Sequence, residues 1–223
     1  MFVKVCGITR VQDAELAAEL GATAVGFIFW PESPRYVDPA HAQHIVRRVS
    51  SNVTTIGVFV NESIEQIRRI MESVSLDAAQ LHGAESPTFC QQLGQMLATP
   101  KPEGRSGLAA PKPEGRRRVI KAIGVKNAGA PDLQAFGEDV LILLDAHDSV
   151  RHGGTGRTVD WDIARTIAAS RPTILSGGLN AGNVGTAIEM VHPYGVDVSS
   201  GVESGPGVKD AARLKSFFEA LNG

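Results

Sequence analysis

Short apolar runs alternate with amphipathic stretches eight times along this chain, and that rhythm leaves few folds open. The runs fall at residues 2–6, 23–29, 54–60, 77–81, 119–123, 140–144, 173–176 and 196–198. Most are near-continuously apolar, as strands buried on both faces of a parallel sheet require. Between them, residues such as Ile64, Ile67 and Met71, or Leu214, Phe217, Phe218 and Leu221, recur at helical spacing. Ser63 followed by Gln66 resembles a capping box, and Asp160 stands where it can cap a helix carrying Trp161, Ala164 and Ile167. A helix is also expected between residues 131 and 136. Eight alternations with short connections predict a single α/β domain, a closed (β/α)8 TIM barrel. An open doubly wound sheet usually stops at five or six strands and is the weaker alternative.

A chain of 223 residues with 43% hydrophobic residues is long enough for one such barrel. Its net charge of −2 is spread along the sequence, which gives no bulk attraction to nucleic acid or to an anionic membrane. No run approaches a membrane span, and the N-terminus lacks the apolar core of a signal peptide. The two cysteines, Cys6 and Cys90, fit a reducing compartment better than a disulfide. A cytoplasmic protein is expected.

In such a barrel, chemistry sits at the C-terminal strand ends. The last two strands each run into serine and glycine: Ser176-Gly177-Gly178, then Ser199-Ser200-Gly201. Glycine turns let backbone N–H groups approach an anion, so these two are expected to clamp one phosphate. Cys6 ends the first strand, and a thiol acts as a base where positive charge lowers its pKa. Asp145 ends the sixth strand, where partial desolvation suits a carboxyl to act as an acid. Asp148 is a competitor inside the following loop. Arg35 follows the second strand and is suited to grip a carboxylate. His82 follows the fourth, with no second ligand at metal-binding spacing, so no metal is assigned. Gly154, within Gly153-Gly154-Thr155-Gly156, is expected in a loop that covers the ligand.

Taken together, Lys4-Val5-Cys6-Gly7-Ile8-Thr9, Ser33-Pro34-Arg35, Gln80-Leu81-His82-Gly83, Leu144-Asp145 with the Gly153–Gly156 turn, Ser176-Gly177-Gly178-Leu179-Asn180 and Asp197-Val198-Ser199-Ser200-Gly201-Val202-Glu203 resemble phosphoribosylanthranilate isomerase. The resemblance spans nearly every strand–helix unit. It implies an Amadori rearrangement in tryptophan biosynthesis that needs no cofactor, with a small phosphorylated substrate and a monomer or homodimer. It further implies Asp145 as general acid and Cys6 as general base. Arg35 would take the anthranilate carboxylate, and Gly178, Ser200 and Gly201 with neighbouring amides the phosphate. The related ring-opening isomerase of histidine biosynthesis usually places aspartate where this chain has Cys6. A phosphate-binding module without activity is a third reading.

One segment breaks the rhythm. Pro-Lys-Pro-Glu-Gly-Arg occurs at residues 100–105 and again at 111–116. Its composition cannot bury a core, so the domain is expected to carry a flexible duplicated insert at about 99–117, on the face opposite the catalytic one and without a catalytic role.

Overall fold

The computed structural model describes residues 1–98, 119–124, 133–145 and 161–222. Eight parallel strands close on themselves in sequence order. They are β1 (Phe2–Cys6), β2 (Ala24–Ile28), β3 (Thr54–Phe59), β4 (Ala78–Leu81), β5 (Val119–Gly124), β6 (Val140–Asp145), β7 (Thr173–Ser176) and β8 (Gly195–Val198). The described helices are α1 (Val11–Glu19), α2 (Pro39–Val46), α3 (Ile64–Val74), α4 (Pro87–Ala98), α5 (Trp161–Ser170), α6 (Val184–Val191) and α7 (Ala211–Asn222). The closed barrel is the architecture expected from the alternating pattern. The duplicated insert, the Gly153–Gly156 turn with Gly154, Asp148 and Asp160 all lie outside the described residues.

Local chemistry explains the helix starts. Ser63 accepts a hydrogen bond from the Gln66 N–H, and Asp38 accepts from Ala40 N–H with Pro39 at the first helical position, so orphan donors of α2 and α3 are satisfied. The helix expected at 131–136 is absent among the described residues. Residues 133–136 form a turn closed by Phe136 N–H on the Leu133 carbonyl. Six residues followed by Gly137 close too few i→i−4 bonds to offset helix nucleation. The guanidinium of Arg171 holds the turn instead, donating to the carbonyls of Leu133, Phe136, Gly137 and Val140 at 2.8–3.2 Å.

Strand alternation divides the core in two. Val3, Val5, Leu144, Leu175, Val196 and Val198 face outward to the helices in one apolar cluster. Phe2, Ala24, Ile56, Ala78, Leu141, Leu143 and Ile174 fill the lower barrel interior in another. The inward positions farther along the same strands belong to Lys4 and Cys6, Gln80, Asp145, Ser176 and Asp197. The interior is therefore apolar at the N-terminal end and polar at the C-terminal end.

Closure depends on β1 meeting β8, with Phe2 opposite Gly195. A side-chain carbon on Gly195 would lie within 2.6 Å of Phe2 Cβ and closer still to the Phe2 carbonyl oxygen. Backbone cannot yield as a side chain can. Gly195→Ala is expected to cost about 1–3 kcal/mol or more, the scale of an overpacked core, read as a lowered urea midpoint. An unchanged midpoint would show that the seam tolerates a methyl group.

Candidate active site

The ends of β1, β2, β4, β6, β7 and β8 bring the sequence-predicted residues that are described to one mouth. Asp145 and His82 meet there: His82 Nε2 lies 3.0 Å from Asp145 Oδ2, with side chains 36% and 24% exposed for the histidine and the aspartate. Gln80 sits two residues below His82 on the same inward face and donates its amide to His82 Nδ1 at 3.0 Å. With Nδ1 accepting, the ring carries its proton on Nε2 and donates it to Asp145. Cys6 is deeper, only 6% exposed. Burial pushes its thiol up, against the opposing effect of the Lys4 ammonium.

The strand residues beneath this mouth carry charges to which the sequence motifs gave no role. Lys4 is fully buried and bonds Asp197 Oδ1 at 3.0 Å. Lys121, buried in β5, bonds Glu85 Oε2 at 2.8 Å and the Gly83 carbonyl at 2.6 Å. Glu85 in turn accepts from Asn61 N–H at 2.8 Å and Gly83 N–H at 2.9 Å. The loops after β3 and β4 are thereby tied together, and His82 stands on the tied segment. The signal was present in the sequence: a lysine inside Phe-Val-Lys-Val-Cys or Val-Ile-Lys-Ala-Ile has to meet a buried anion.

Arg35 lies over the end of β1, its Cδ within 2.7 Å of the place a Gly7 side chain would occupy. Its Nε and Nη2 grip Glu203 at 2.7–3.0 Å. A substrate carboxylate would therefore meet the remaining Nη1/Nη2 edge. Glu203 opens β9 (Glu203–Gly205), which pairs with β10 (Val208–Lys209) in a two-stranded excursion between β8 and α7. Lys209 Nζ bonds Glu203 Oε1 at 2.7 Å, the Cys6 carbonyl at 2.5 Å and the Ser199 carbonyl at 3.3 Å. One ammonium thus joins the ends of β1 and β8 to the carboxylate that holds Arg35.

The two glycine turns are in contact. Gly177 and Gly178 take φ of +94° and +66°, the left-handed region open to glycine. The carbonyl of Gly178 accepts from Asn180 and Asn183 side chains at 3.2 and 3.0 Å. Gly201 sits in the 3-10 turn Ser200–Val202 after β8, and any side chain there would collide with the Leu179 carbonyl. Among the described residues no cluster of His, Cys, Asp or Glu has the makings of a metal site, and no helix is long and apolar enough to cross a membrane.

Burial alone would raise the carboxyls of Glu203 and Glu85, but Arg35 with Lys209 and Lys121 with backbone N–H groups hold both below their usual value. A depressed folded pKa contributes stability above the unfolded value of about 4.3 and loses it as pH falls through the folded one. The contribution of these two carboxyls should therefore be flat near neutrality and be lost on acidification below about pH 4.3. Glu203→Gln should cost about 3–5 kcal/mol at pH 7, because Lys209 is left buried without its anion, and should flatten the acid limb of the urea midpoint. An unaltered acid limb would remove Glu203 from the linkage.

The family model for N-(5'phosphoribosyl)anthranilate isomerase matches residues 3–101 and 112–220, passing over 102–111. The isomerase of that name from Pelobacter propionicus is 43% identical over 216 residues, 97% of this chain and 93% of the relative. That of Geobacter sulfurreducens is 42% identical over 221 residues, covering 99% and 98%. The crystal structure of phosphoribosyl anthranilate isomerase from Thermotoga maritima superposes with a TM-score of 0.81 at 37% identity, covering 100% of this chain and 99% of that one. A structure in complex with reduced 1-(o-carboxyphenylamino)-1-deoxyribulose 5-phosphate superposes at 0.78, with 36% identity and the same coverage. With its barrel, its strand-end motifs and its full-length likeness in agreement, the chain belongs to the N-(5'-phosphoribosyl)anthranilate isomerase family.

Proposed function

We propose that this chain converts N-(5-phosphoribosyl)anthranilate into 1-(2-carboxyphenylamino)-1-deoxyribulose 5-phosphate, the Amadori step of tryptophan biosynthesis. The observation that carries the reading is a carboxyl and a thiol on the inner wall of one barrel mouth, beside two glycine turns in mutual contact. Asp145 protonates the furanose ring oxygen, the C1–O bond breaks, and the sugar opens to a protonated Schiff base. The iminium acidifies the C2 proton, which Cys6 removes as a thiolate to give an enolamine. Tautomerisation yields the ketone. The steps balance in protons alone.

The remaining residues hold the substrate. Gly177, Gly178, Ser200 and Gly201 present backbone N–H groups to the phosphate, Arg35 takes the anthranilate carboxylate, and His82 keeps the Asp145 carboxyl turned to the mouth. Gly154, in the segment before α5, is assigned to the substrate-covering loop. A cytoplasmic location suits a small phosphorylated substrate. The phosphoribosylanthranilate isomerase of Thermotoga maritima is dimeric; for this chain a monomer or a homodimer is proposed, and sedimentation distinguishes them.

The test is turnover of phosphoribosylanthranilate generated in situ, followed by fluorescence. Asp145→Asn and Cys6→Ala are each expected to lower kcat about 10²-fold or more, the scale of one acid–base contribution, while Arg35→Ala chiefly raises KM. Near-normal turnover in Asp145→Asn would move the acid to Asp148. Background turnover by the folded parent protein would leave a phosphate-binding module in place of an enzyme. A second expectation concerns the insert, which we read as an appendage of a single domain. In the chain it joins α4, which ends at Ala98, to β5, which starts at Val119. Deleting residues 102–111, the stretch the family model passes over, should leave kcat and Tm as they were; a fall in either would give the repeat a structural role.

A further inference from the structure

Two charged groups on the inner wall take no part in the proton transfers proposed above: Lys4 and Asp197. Lys4 is wholly buried, and its Nζ lies 3.0 Å from Asp197 Oδ1. The same ammonium lies beside the Cys6 sulfur. Both reach the space kept open by Gly26, where a side-chain carbon would come within 3.1 Å of Lys4 Nζ and 2.9 Å of Cys6 Sγ. One cation therefore faces two groups able to carry negative charge.

A carboxylate and a thiolate together would leave this water-poor space with a net buried anion, which is strongly disfavoured. The cluster holds one anion at a time. Resting on the reading of Cys6 as the base, we propose that Lys4 and Asp197 are positioning residues that set its protonation state: Asp197 takes up the thiol's proton, and Lys4 then holds the thiolate. The S–H bond breaks, an O–H bond forms on Asp197, and the ammonium is unchanged, so the transfer moves charge without adding any. When Cys6 then removes the C2 proton, the positive charge of the iminium passes into the cluster. The cluster resets as Asp197 gives its proton up to water, while Asp145, which spent one on the ring oxygen, takes one from water, so the turnover is proton-neutral.

The surroundings fit this exchange. Burial raises Asp197 as it raises Cys6, so neither carries its negative charge cheaply, and Lys4 supports either one. Ser176 Oγ donates to Asp197 Oδ2 at 3.4 Å. The other charged groups facing the cluster are Lys209 from β10, through the Cys6 carbonyl, Arg35 across Gly7, and His82 and Asp145 from β4 and β6, which act on Asp197. None of these is placed against both the thiol and Asp197, as Lys4 is.

The experiment titrates Cys6 without substrate. In a Cys90→Ala background, thiolate ultraviolet absorbance is followed against pH, with the Cys6→Ala protein subtracted. Asp197→Asn leaves Cys6 as the sole anion available to Lys4, so the thiol should ionise about 1–3 pH units lower. Lys4→Met should move it higher. Opposite displacements are not produced by a general loosening of the fold. The acidic limb of the kcat–pH profile should follow Asp197→Asn downward. A thiol titration unmoved or raised by Asp197→Asn would overturn the proposal, and if Lys4→Met fails to fold, Asp197→Asn decides alone. Because no substrate is present, a parent protein that titrates as expected yet does not turn over phosphoribosylanthranilate would refute the assigned reaction and leave the cluster standing.

Discussion

The buried ammonium of Lys209 is the joint on which the mouth of this barrel depends. It bonds the Cys6 carbonyl at the end of β1, the Ser199 carbonyl at the end of β8 and the Glu203 carboxylate in β9. Glu203 holds Arg35 from the loop after β2, and Arg213 of α7 donates to the Glu203 carbonyl. Three neighbouring strand ends and one helix meet at a single charge. Because a buried charge tolerates little displacement from its partners, the positions of Cys6, of the turn that begins at Ser199 and of Arg35 are set together.

The same constraint operates on the other side of the mouth. Lys121 and Glu85 bind the turns after β3 and β4, and Lys4 with Asp197 spans β1 and β8 inside the barrel. Each pair is a strand charge that found its partner on a neighbouring strand or its loop. Such pairs add little net stability compared with apolar packing of the same volume. What they supply here is geometry: polar groups at the C-terminal end of an otherwise apolar interior, each held by more than one bond. The lower interior, filled by Phe2, Ile56, Leu141 and Ile174, supplies the burial that makes those charges insist on their partners.

Much of the fold was legible from periodicity. The eight apolar runs became eight strands within a residue or two of the expected places, because a strand buried on both faces leaves an uninterrupted apolar signature. The helix expected at 131–136 failed because six residues close too few i→i−4 bonds to nucleate one, and the turn that stands there is held by Arg171, just beyond α5, which no local pattern shows. The β9–β10 excursion was equally invisible, since Glu203-Ser-Gly and Val208-Lys209 are too short to show alternation. Of the candidate site residues, Cys6, Asp145, His82, Arg35 and the glycine turns declared themselves by type and by place at strand ends. Lys4, Asp197, Glu203 and Lys209 did not, because a charge in an apolar strand announces only that a partner exists.

Taken alone, the amino-acid order determined which segments are buried, how many strand–helix units there are, and which reactive groups stand at strand ends, since each follows from composition and spacing over a few residues. The tertiary structure decided which charges pair, that Arg35 comes with one edge already engaged by Glu203, and that Lys4 stands between Cys6 and Asp197. Those outcomes join residues separated by up to 203 positions in the chain. Only closure of the sheet brings the first strand against the last, and with it the cations of one against the carbonyls and carboxylates of the other.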